Sequence, residues 1–234
     1  MALTTNYSHG YKLLLATDCI IFGFDQDRKL KILLVNRDVE PYKGKWALMG
    51  GFVRENENVD AAAERVLQTL TGLSDIYLEQ LHAFGNVGRD EDPERVVSIT
   101  YFALINIHEY DQELTQDFGA KWFAVDEFPD LVFDHNEMVK KAIRKLRLRA
   151  TTKPIGFKLL PDKFTIPQLK SLYDVILGVD LDKRNFSRRV LSMGILKKLD
   201  EKERNTSKKG AFYYQFDEQK YNRLLEEGLH FSIK

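Results

Sequence analysis

The chain has 234 residues, 44% of them hydrophobic and 30% charged, which is the composition of a globular protein able to bury one large core or two smaller ones. Basic and acidic residues balance at 35 each, so the net charge alone says nothing about partners. No apolar run approaches the ~18 residues of a membrane span, and the N-terminus lacks a signal-peptide pattern. We therefore expect a cytoplasmic protein without a membrane partner.

The first half of the chain has the pattern of an α/β domain. Apolar, β-branched runs predict strands at 13–24 and 31–36, joined by a hairpin-like turn, and further strands at 46–53, 78–87, 96–107 and 121–125. Cys19 is the only cysteine, so an intramolecular disulfide is excluded. Because it lies in the first predicted strand, we expect a small buried side chain. Helices are predicted at 58–70 and 135–150. This order favours an antiparallel-rich sheet with helices on both faces, an α/β/α sandwich.

The helix at 58–70 has clear boundary signals. Asn56 or Asn58 can cap its start, and Gly72 can end it. The segment around it resembles the Nudix box, in which a glycine, a glutamate, an arginine and a second glycine stand at fixed spacings. The positions that match this pattern are Gly51, Glu57, Arg65, Leu67, Gly72 and Leu73.

Three acidic positions of the box are missing. In the Nudix family those carboxylates hold divalent metal on one helix face, but here the positions are Val66, Thr69 and Leu70. Hard cations such as Mg²⁺ require oxygen ligands, so we expect no catalytic residue, no metal and no other cofactor. The alternative is a retained magnesium-dependent hydrolase of ADP-ribose or a related nucleoside diphosphate derivative, which would rely on Glu57 and Glu64.

A ligand pocket is still expected in this domain. Paired glycines let the backbone approach a ligand closely, and polar side chains on or beside the predicted strands can line a cavity. His135, at the start of the second helix, is a further polar candidate, and an ordinary sheet-face or loop role stays open for each polar residue. The predicted effector-binding residues are Asp18, Arg37, Trp46, Gly50, Gly51, Asn86 and Arg89.

The charge changes sign along the chain. Residues 1–153 carry 19 basic against 24 acidic side chains, and residues 154–234 carry 16 against 11. The basic run 140–153 leads to Pro154, so we expect a linker at about 150–156 and two domains, 1–153 and 154–234. The excess of positive charge in the second domain favours a polyanionic partner.

The second domain has the pattern of a winged helix-turn-helix. Thr165 can cap a first helix that ends at Gly178, and Asp182 can cap a second helix that ends at Gly194. On the second helix Phe186, Val190 and Leu191 are expected to face inward. Strands at 195–199 and 211–216, separated by a basic tip, complete the wing.

Basic and hydrogen-bonding side chains concentrate on this second helix and on the wing tip. Residues 181–210 hold ten basic residues against four acidic ones, and side chains of this kind contact phosphates and base edges. An adaptor that uses the wing for RNA or an acidic partner is the rival interpretation. The predicted DNA-binding residues are Lys183, Arg184, Asn185, Ser187, Arg188, Arg189, Arg204, Ser207, Lys208 and Lys209.

A degenerate Nudix box followed by a basic winged helix resembles the Nudix-related transcriptional regulators of bacteria. The resemblance implies a homodimer that binds a palindromic operator, with the Nudix domain as a small-molecule sensor. In that family some members respond to ADP-ribose and control NAD metabolism, and others control sugar catabolism. The chain looks most similar to the arabinose-responsive branch, so a repressor of carbohydrate metabolism with L-arabinose, a pentose, as effector is expected. A pocket without metal-binding acids also suits a neutral sugar better than a magnesium-bound pyrophosphate.

Overall fold

The computed structural model describes residues 12–24, 29–74, 76–89, 94–107, 119–204, 210–228 and 231–233. Its first part is a seven-stranded mixed sheet. The strands are β1 (Leu14–Phe24), β2 (Leu30–Asn36), β3 (Trp46–Ala47), β4 (Met49–Phe52), β5 (Glu79–Phe84), β6 (Val96–Asn106) and β7 (Ala120–Ala124). The order is β3-β2-β1-β6-β5, with β4 also paired to β1 and β7 to β2. Only β1 and β6 run parallel among the pairs described, so the expected antiparallel-rich sheet is confirmed.

Two helices cover opposite faces of this sheet, α1 (Val59–Thr71) and α2 (His135–Thr152). The alternation of side chains along β1 shows the two layers directly. Ile20 and Phe22 belong to the cluster that contains Met138 of α2, and Cys19 belongs to the cluster that contains Val66 of α1. The α/β/α sandwich and the buried cysteine are thus confirmed.

The second part contains three helices and a small sheet. A short 3₁₀-helix (Ile155–Leu159) leads to β8 (Phe164–Thr165), α3 (Ile166–Leu177), α4 (Lys183–Ser192), β9 (Leu196–Glu203), β10 (Ala211–Phe216) and α5 (Glu218–Glu226). The sheet has the order β8-β10-β9. This is the expected winged helix-turn-helix, with three additions that the sequence did not predict: the 3₁₀-helix, the short strand β8 and the terminal helix α5.

The caps of α3 and α4 explain where these helices begin. Thr165 and Gln168 form a reciprocal capping box at the start of α3, and the Asp182 side chain accepts a hydrogen bond from the Asn185 N–H at the start of α4. Gly178 ends α3 at a φ of 68°, a left-handed conformation that favours glycine. The wing differs from prediction, because β9 continues to Glu203 and shortens the tip.

The two parts share a continuous core. Leu146 and Ala150 of α2 lie in the same buried cluster as Phe157 of the 3₁₀-helix and as Leu169 and Leu172 of α3. Because α2 runs to Thr152 and the 3₁₀-helix begins at Ile155, little of the expected linker at 150–156 is extended chain. The division into domains at residue 153 stays a prediction. In the described ranges, no helix is both long and apolar enough to cross a membrane.

Candidate effector pocket and DNA-binding surface

A cavity of about 560 Å³ opens beside the junction of β1, β4 and the start of α2. Its size lies within the range of small-molecule sites in proteins. Five of the seven predicted effector residues line it. They are Asp18, Arg37, Gly50, Gly51 and Arg89, joined by His135.

The structure places the other two predicted residues outside the cavity lining. Trp46 packs edge-on against Phe123 of β7, with ring centroids 4.8 Å apart. Asn86 is exposed in the turn after β5, where its carbonyl accepts a hydrogen bond from the Arg89 N–H at 3.3 Å. The contact with Phe123 gives the Trp46 side chain a packing role, whereas Asn86 makes its contact through the backbone alone. Neither residue lines this cavity, so an effector-binding role for them stays a prediction.

The floor of the cavity is a buried polar network around Asp18. The Ser98 hydroxyl donates to Asp18 Oδ2 at 2.5 Å, and Nε2 of His135 lies 3.4 Å from Oδ1. Arg89 forms two hydrogen bonds with Asp134, at 2.9 and 2.7 Å, and lies 4.0 Å from Asp18 Oδ2. We call Asp18, Arg89, Ser98, Asp134 and His135 the polar floor.

The backbone fixes the tautomer of His135. Its Nδ1 accepts a hydrogen bond from the Leu48 N–H at 3.1 Å, so the proton of the neutral ring sits on Nε2, which faces Asp18. Burial lowers the pKa of His135, against an opposing effect of the Asp18 charge. The imidazole is therefore neutral, and its Nε2 proton lies on the side of the ring that faces the Asp18 carboxylate.

The paired glycines are explained by close approaches on both sides of β4. Gly50 pairs with Asp18 across the β1–β4 ladder, and a Cβ at Gly50 would clash with Asp18 Oδ1. A Cβ at Gly51 would lie 2.8 Å from Cγ2 of Val66 on α1. The strand can therefore lie against both the polar floor and the helix only because these two residues lack side chains.

The mouth of the cavity is more apolar and more exposed. Arg37 donates from Nε to the Pro41 carbonyl at 3.0 Å, and its guanidinium lies 5.2 Å from the centroid of Phe133. Phe133 has a φ of 53°, a left-handed conformation that is uncommon for a bulky residue. We call Arg37, Val39, Phe52 and Phe133 the mouth. Of the four mouth residues, the sequence predicted only Arg37. It also missed Ser98 of the polar floor, although a polar residue at an inward-facing strand position was a usable signal.

The remaining residues of the Nudix box have structural partners. Arg65 donates to both carboxylate oxygens of Glu57 and to the Phe52 carbonyl, and the Arg54 N–H also donates to Glu57. The hydrogen bonds from Arg65 lower the pKa of Glu57 to about 2. Arg65 and Glu57 thus form an ion pair. It holds together the loop between β4 and α1.

The described residues do not fit a magnesium ion at the box. Val66 is buried against Gly51, and the exposed Thr69 supplies one hydroxyl. Nowhere in the described ranges do three His, Cys, Asp or Glu side chains come together in a way that could hold a metal. The donor set is therefore unlike the cluster of oxygen ligands that magnesium takes in proteins.

The helix α4 presents the basic surface that the sequence predicts. Phe186 and Val190 are buried and hold α4 on the core, and Phe186 lies beside Tyr173 of α3. Leu191 is 43% exposed, so its predicted inward orientation is wrong. It lies seven residues after Arg184, two helical turns along the same outward face. The predicted DNA-binding residues that are exposed are Lys183, Arg184, Asn185, Arg188, Arg189 and Arg204.

Several of these side chains already have partners within the chain. Arg188 donates to Asn185 Oδ1 at 2.9 Å, which aligns the two on one face, whereas Arg189 reaches Ser232 at 3.4 Å. Ser187 is half-buried and donates to the Lys183 carbonyl at 2.7 Å. The predicted tip residues Ser207, Lys208 and Lys209 lie outside the described residues.

The wing carries further cations, of which Lys202 was expected from the sequence to contact phosphates and Lys198 was not. Lys198 and Lys202 of β9 lie 3.7 and 4.4 Å from the ring centroid of Phe212 on β10. These distances are within the range of cation–π attraction. The spacing of Lys198 and Lys202, four residues apart and therefore on one face of β9, together with the aromatic residues of β10, was the available signal.

Comparison with known proteins relates both parts of the chain to one type of protein. The NUDIX domain family model matches residues 12–144, and the NrtR DNA-binding winged helix domain model matches residues 156–216. The "ADPR responsive transcriptional repressor NtrR" of Acinetobacter baylyi is 35% identical over 93% of this chain and 89% of that protein. The crystal structure of Shewanella oneidensis NrtR complexed with a 27mer DNA has a TM-score of 0.77 and 29% identity, covering 86% of this chain and 93% of that chain.

A shorter relative is an enzyme. The ADP-ribose pyrophosphatase of Methanocaldococcus jannaschii is 33% identical over 116 residues, which are 49% of this chain and 66% of that enzyme. It and the Acinetobacter baylyi repressor are both named for ADP-ribose. The expected similarity to the arabinose-responsive branch gains no support from these relatives.

Proposed function

Because the chain belongs to the Nudix family and to its NrtR-type regulators, we propose that it is a transcriptional repressor whose Nudix domain binds ADP-ribose without hydrolysing it. The observation that carries the proposal is the presence, in one chain, of a ligand pocket whose box lacks metal-binding acids and of an exposed basic helix in a winged fold. The first supports binding without turnover, and the second supports an interaction with DNA.

The effector assignment differs from the pentose expected from sequence. The missing acids disfavour metal-assisted cleavage, but an anion can bind to a guanidinium without a metal, and Arg37 supplies one at the mouth. The cavity volume of about 560 Å³ also suits a dinucleotide-sized ligand better than a single pentose. The names of the two relatives that mention ADP-ribose support the same choice.

Control of DNA binding follows from linkage between the two sites. If ADP-ribose binds more tightly to one arrangement of the winged helices than to another, it changes operator affinity by the same free energy. We propose a homodimer in which two copies of α4 read half-sites of a palindrome about one helical turn, or a multiple, apart. A molar mass measurement by light scattering tests the dimer, and a monomer at the concentration of the DNA assay would contradict it.

One experiment tests the function as a whole. An operator is selected from a random DNA pool by the full-length chain, and its affinity is then measured with ADP-ribose, L-arabinose or AMP. We expect ADP-ribose alone to change the affinity, by about 5- to 150-fold, the usual range of allosteric coupling. A response to L-arabinose alone would identify L-arabinose as the effector in place of ADP-ribose. Failure to select any operator would contradict the DNA-binding role.

Turnover is measured separately. The chain is incubated with ADP-ribose and Mg²⁺ or Mn²⁺, and release of AMP is followed by chromatography. We expect intact ADP-ribose under conditions in which a Nudix hydrolase degrades it. Metal-dependent release of AMP at an enzymatic rate would instead support the hydrolase alternative.

A further inference from the structure

The chemistry of the cavity changes from its mouth to its floor. Val39 and Phe52 at the mouth are 56% and 51% exposed, whereas Asp18 and His135 at the floor are 5% and 4% exposed. Within the mouth, Arg37 and Phe133 are half-buried and so lie deeper than Val39 and Phe52. An apolar and aromatic entrance suits a nucleobase, a guanidinium suits a pyrophosphate, and a buried carboxylate suits a hydrogen-bond donor.

The polar floor disfavours an anion. It contains two carboxylates, Asp18 and Asp134, against the single guanidinium of Arg89, and Arg89 is paired with Asp134 through two hydrogen bonds. The neutral His135, whose Nε2 lies 3.4 Å from Asp18 Oδ1, adds no compensating charge. A phosphate placed here would meet the Asp18 carboxylate in a buried environment, where like charges repel strongly.

Asp18 is held in place and still has acceptor capacity. Ser98 donates to Oδ2, His135 faces Oδ1, and Gly50 leaves the space that the carboxylate occupies. A carboxylate offers about four lone-pair sites on its two oxygens, more than the hydrogen bond from Ser98 uses. Two neighbouring hydroxyls of a sugar match the spacing of the two carboxylate oxygens.

We propose that Asp18 accepts hydrogen bonds from the hydroxyls of the terminal ribose of ADP-ribose and so distinguishes this ligand from ADP. This inference rests on the proposed function and deepens it. The ligand then lies with its adenine at the mouth, its pyrophosphate near Arg37 and its terminal ribose on the polar floor. ADP fills the first two places and leaves the Asp18 carboxylate without the sugar.

The test compares two ligands on two matched variants. Titration calorimetry with ADP-ribose and ADP is applied to the unmodified chain, to Asp18→Asn and to Asp38→Asn. Asp38 is exposed beside Arg37 and does not line the cavity, so Asp38→Asn makes the same change of charge as a control. We expect the unmodified chain and Asp38→Asn to prefer ADP-ribose by roughly 10- to 100-fold, the worth of hydrogen bonds to a charged acceptor, and Asp18→Asn to lose most of that preference.

A second measurement does not depend on the folding of Asp18→Asn. An ADP-ribose analogue that lacks one hydroxyl of the terminal ribose is titrated into the unmodified chain, and we expect it to bind at least several-fold more weakly than ADP-ribose. Equal binding of the analogue, or an unchanged preference in Asp18→Asn, overturns the role of Asp18 and leaves ADP-ribose as the effector. Binding of none of these ligands by the unmodified chain overturns the proposed function itself.

Discussion

The helix α2 connects the effector pocket to the DNA-binding part, and Arg147 is the residue whose removal should weaken that connection. The helix begins at His135 on the polar floor, and Arg147 follows about 18 Å further along its axis. There Arg147 donates from Nε to the Ile176 carbonyl near the end of α3, at 3.1 Å. The same cation lies where the negative end of the α3 dipole favours it.

The magnitude of the effect follows from this contact. A hydrogen bond from a charged donor contributes about 1.5–3 kcal/mol to the free energy of the state that contains it. Because the contact of Arg147 with Ile176 is partly exposed, we expect Arg147→Ala to remove roughly 1–2 kcal/mol. Coupling between an effector and DNA is typically about 1–3 kcal/mol, so the substitution should remove much of it. We expect ADP-ribose to change the operator affinity of Arg147→Ala several-fold less than that of the unmodified chain.

The assay is operator binding with and without ADP-ribose, combined with thermal unfolding. Arg144→Ala is the matched control, because Arg144 is exposed on the same helix, and Arg147→Lys tests whether the charge alone suffices. A full ADP-ribose response in Arg147→Ala, together with a lowered Tm, would refute the coupling role. In that case the contact with Ile176 would only stabilise the fold.

Three further substitutions test the recognition helix and the box. Arg188→Ala should weaken operator binding and reduce the slope of log affinity against log salt by about 0.9, while Arg144→Ala changes neither; equal slopes in both variants would count against α4 as the recognition helix. Phe186→Ala should lower the free energy of unfolding by about 3–5 kcal/mol, because the ring is buried beside Tyr173, and denaturant titration with a smaller loss would mean that the site collapses. Glu57→Gln should remove a pH-dependent part of stability. The folded-state pKa of Glu57 lies at about 2, below its ordinary value of 4.5, so its stabilising effect is present above pH 4.5 and is lost as the pH falls toward 2. Identical acid unfolding curves for the two proteins would contradict this.

Local signals in the sequence predicted most of the fold. Asn58, Thr165 and Asp182 cap the helices that they were expected to cap, because capping depends on a few neighbouring residues. Helical periodicity failed at Leu191, where the short α4 buries only Phe186 and Val190. The terminal helix α5 was missed although it is amphipathic, with Tyr221 buried on its inner face.

The pocket was harder to predict because it joins residues that are distant in sequence. Trp46 packs against Phe123 of β7, and nothing near either residue in the sequence reveals that contact. Ser98 and His135 meet Asp18 only after β1 pairs with β6 and α2 packs on the sheet. The sequence could not decide the effector for a different reason: the missing acids report on catalysis, and they carry no information on which uncleaved ligand the remaining side chains bind.

The same missing acids allow a direct test of whether the pocket is an enzyme site without its metal ligands. Positions 66, 69 and 70 lie at i, i+3 and i+4 of α1, so three glutamates there would share one helix face. We expect the triple variant Val66→Glu, Thr69→Glu, Leu70→Glu to have a lower Tm than the unmodified chain, because Val66 is buried, and to regain stability on addition of Mg²⁺ or Mn²⁺. The same three positions changed to glutamine provide the uncharged control, which should not respond to metal. Cleavage of ADP-ribose by the metal-bound glutamate variant would show that the pyrophosphate of the bound ligand lies within reach of a metal ion held by α1. A folded glutamate variant without a metal response would mean that the close contact between Gly51 and α1 has eliminated the space for the ion.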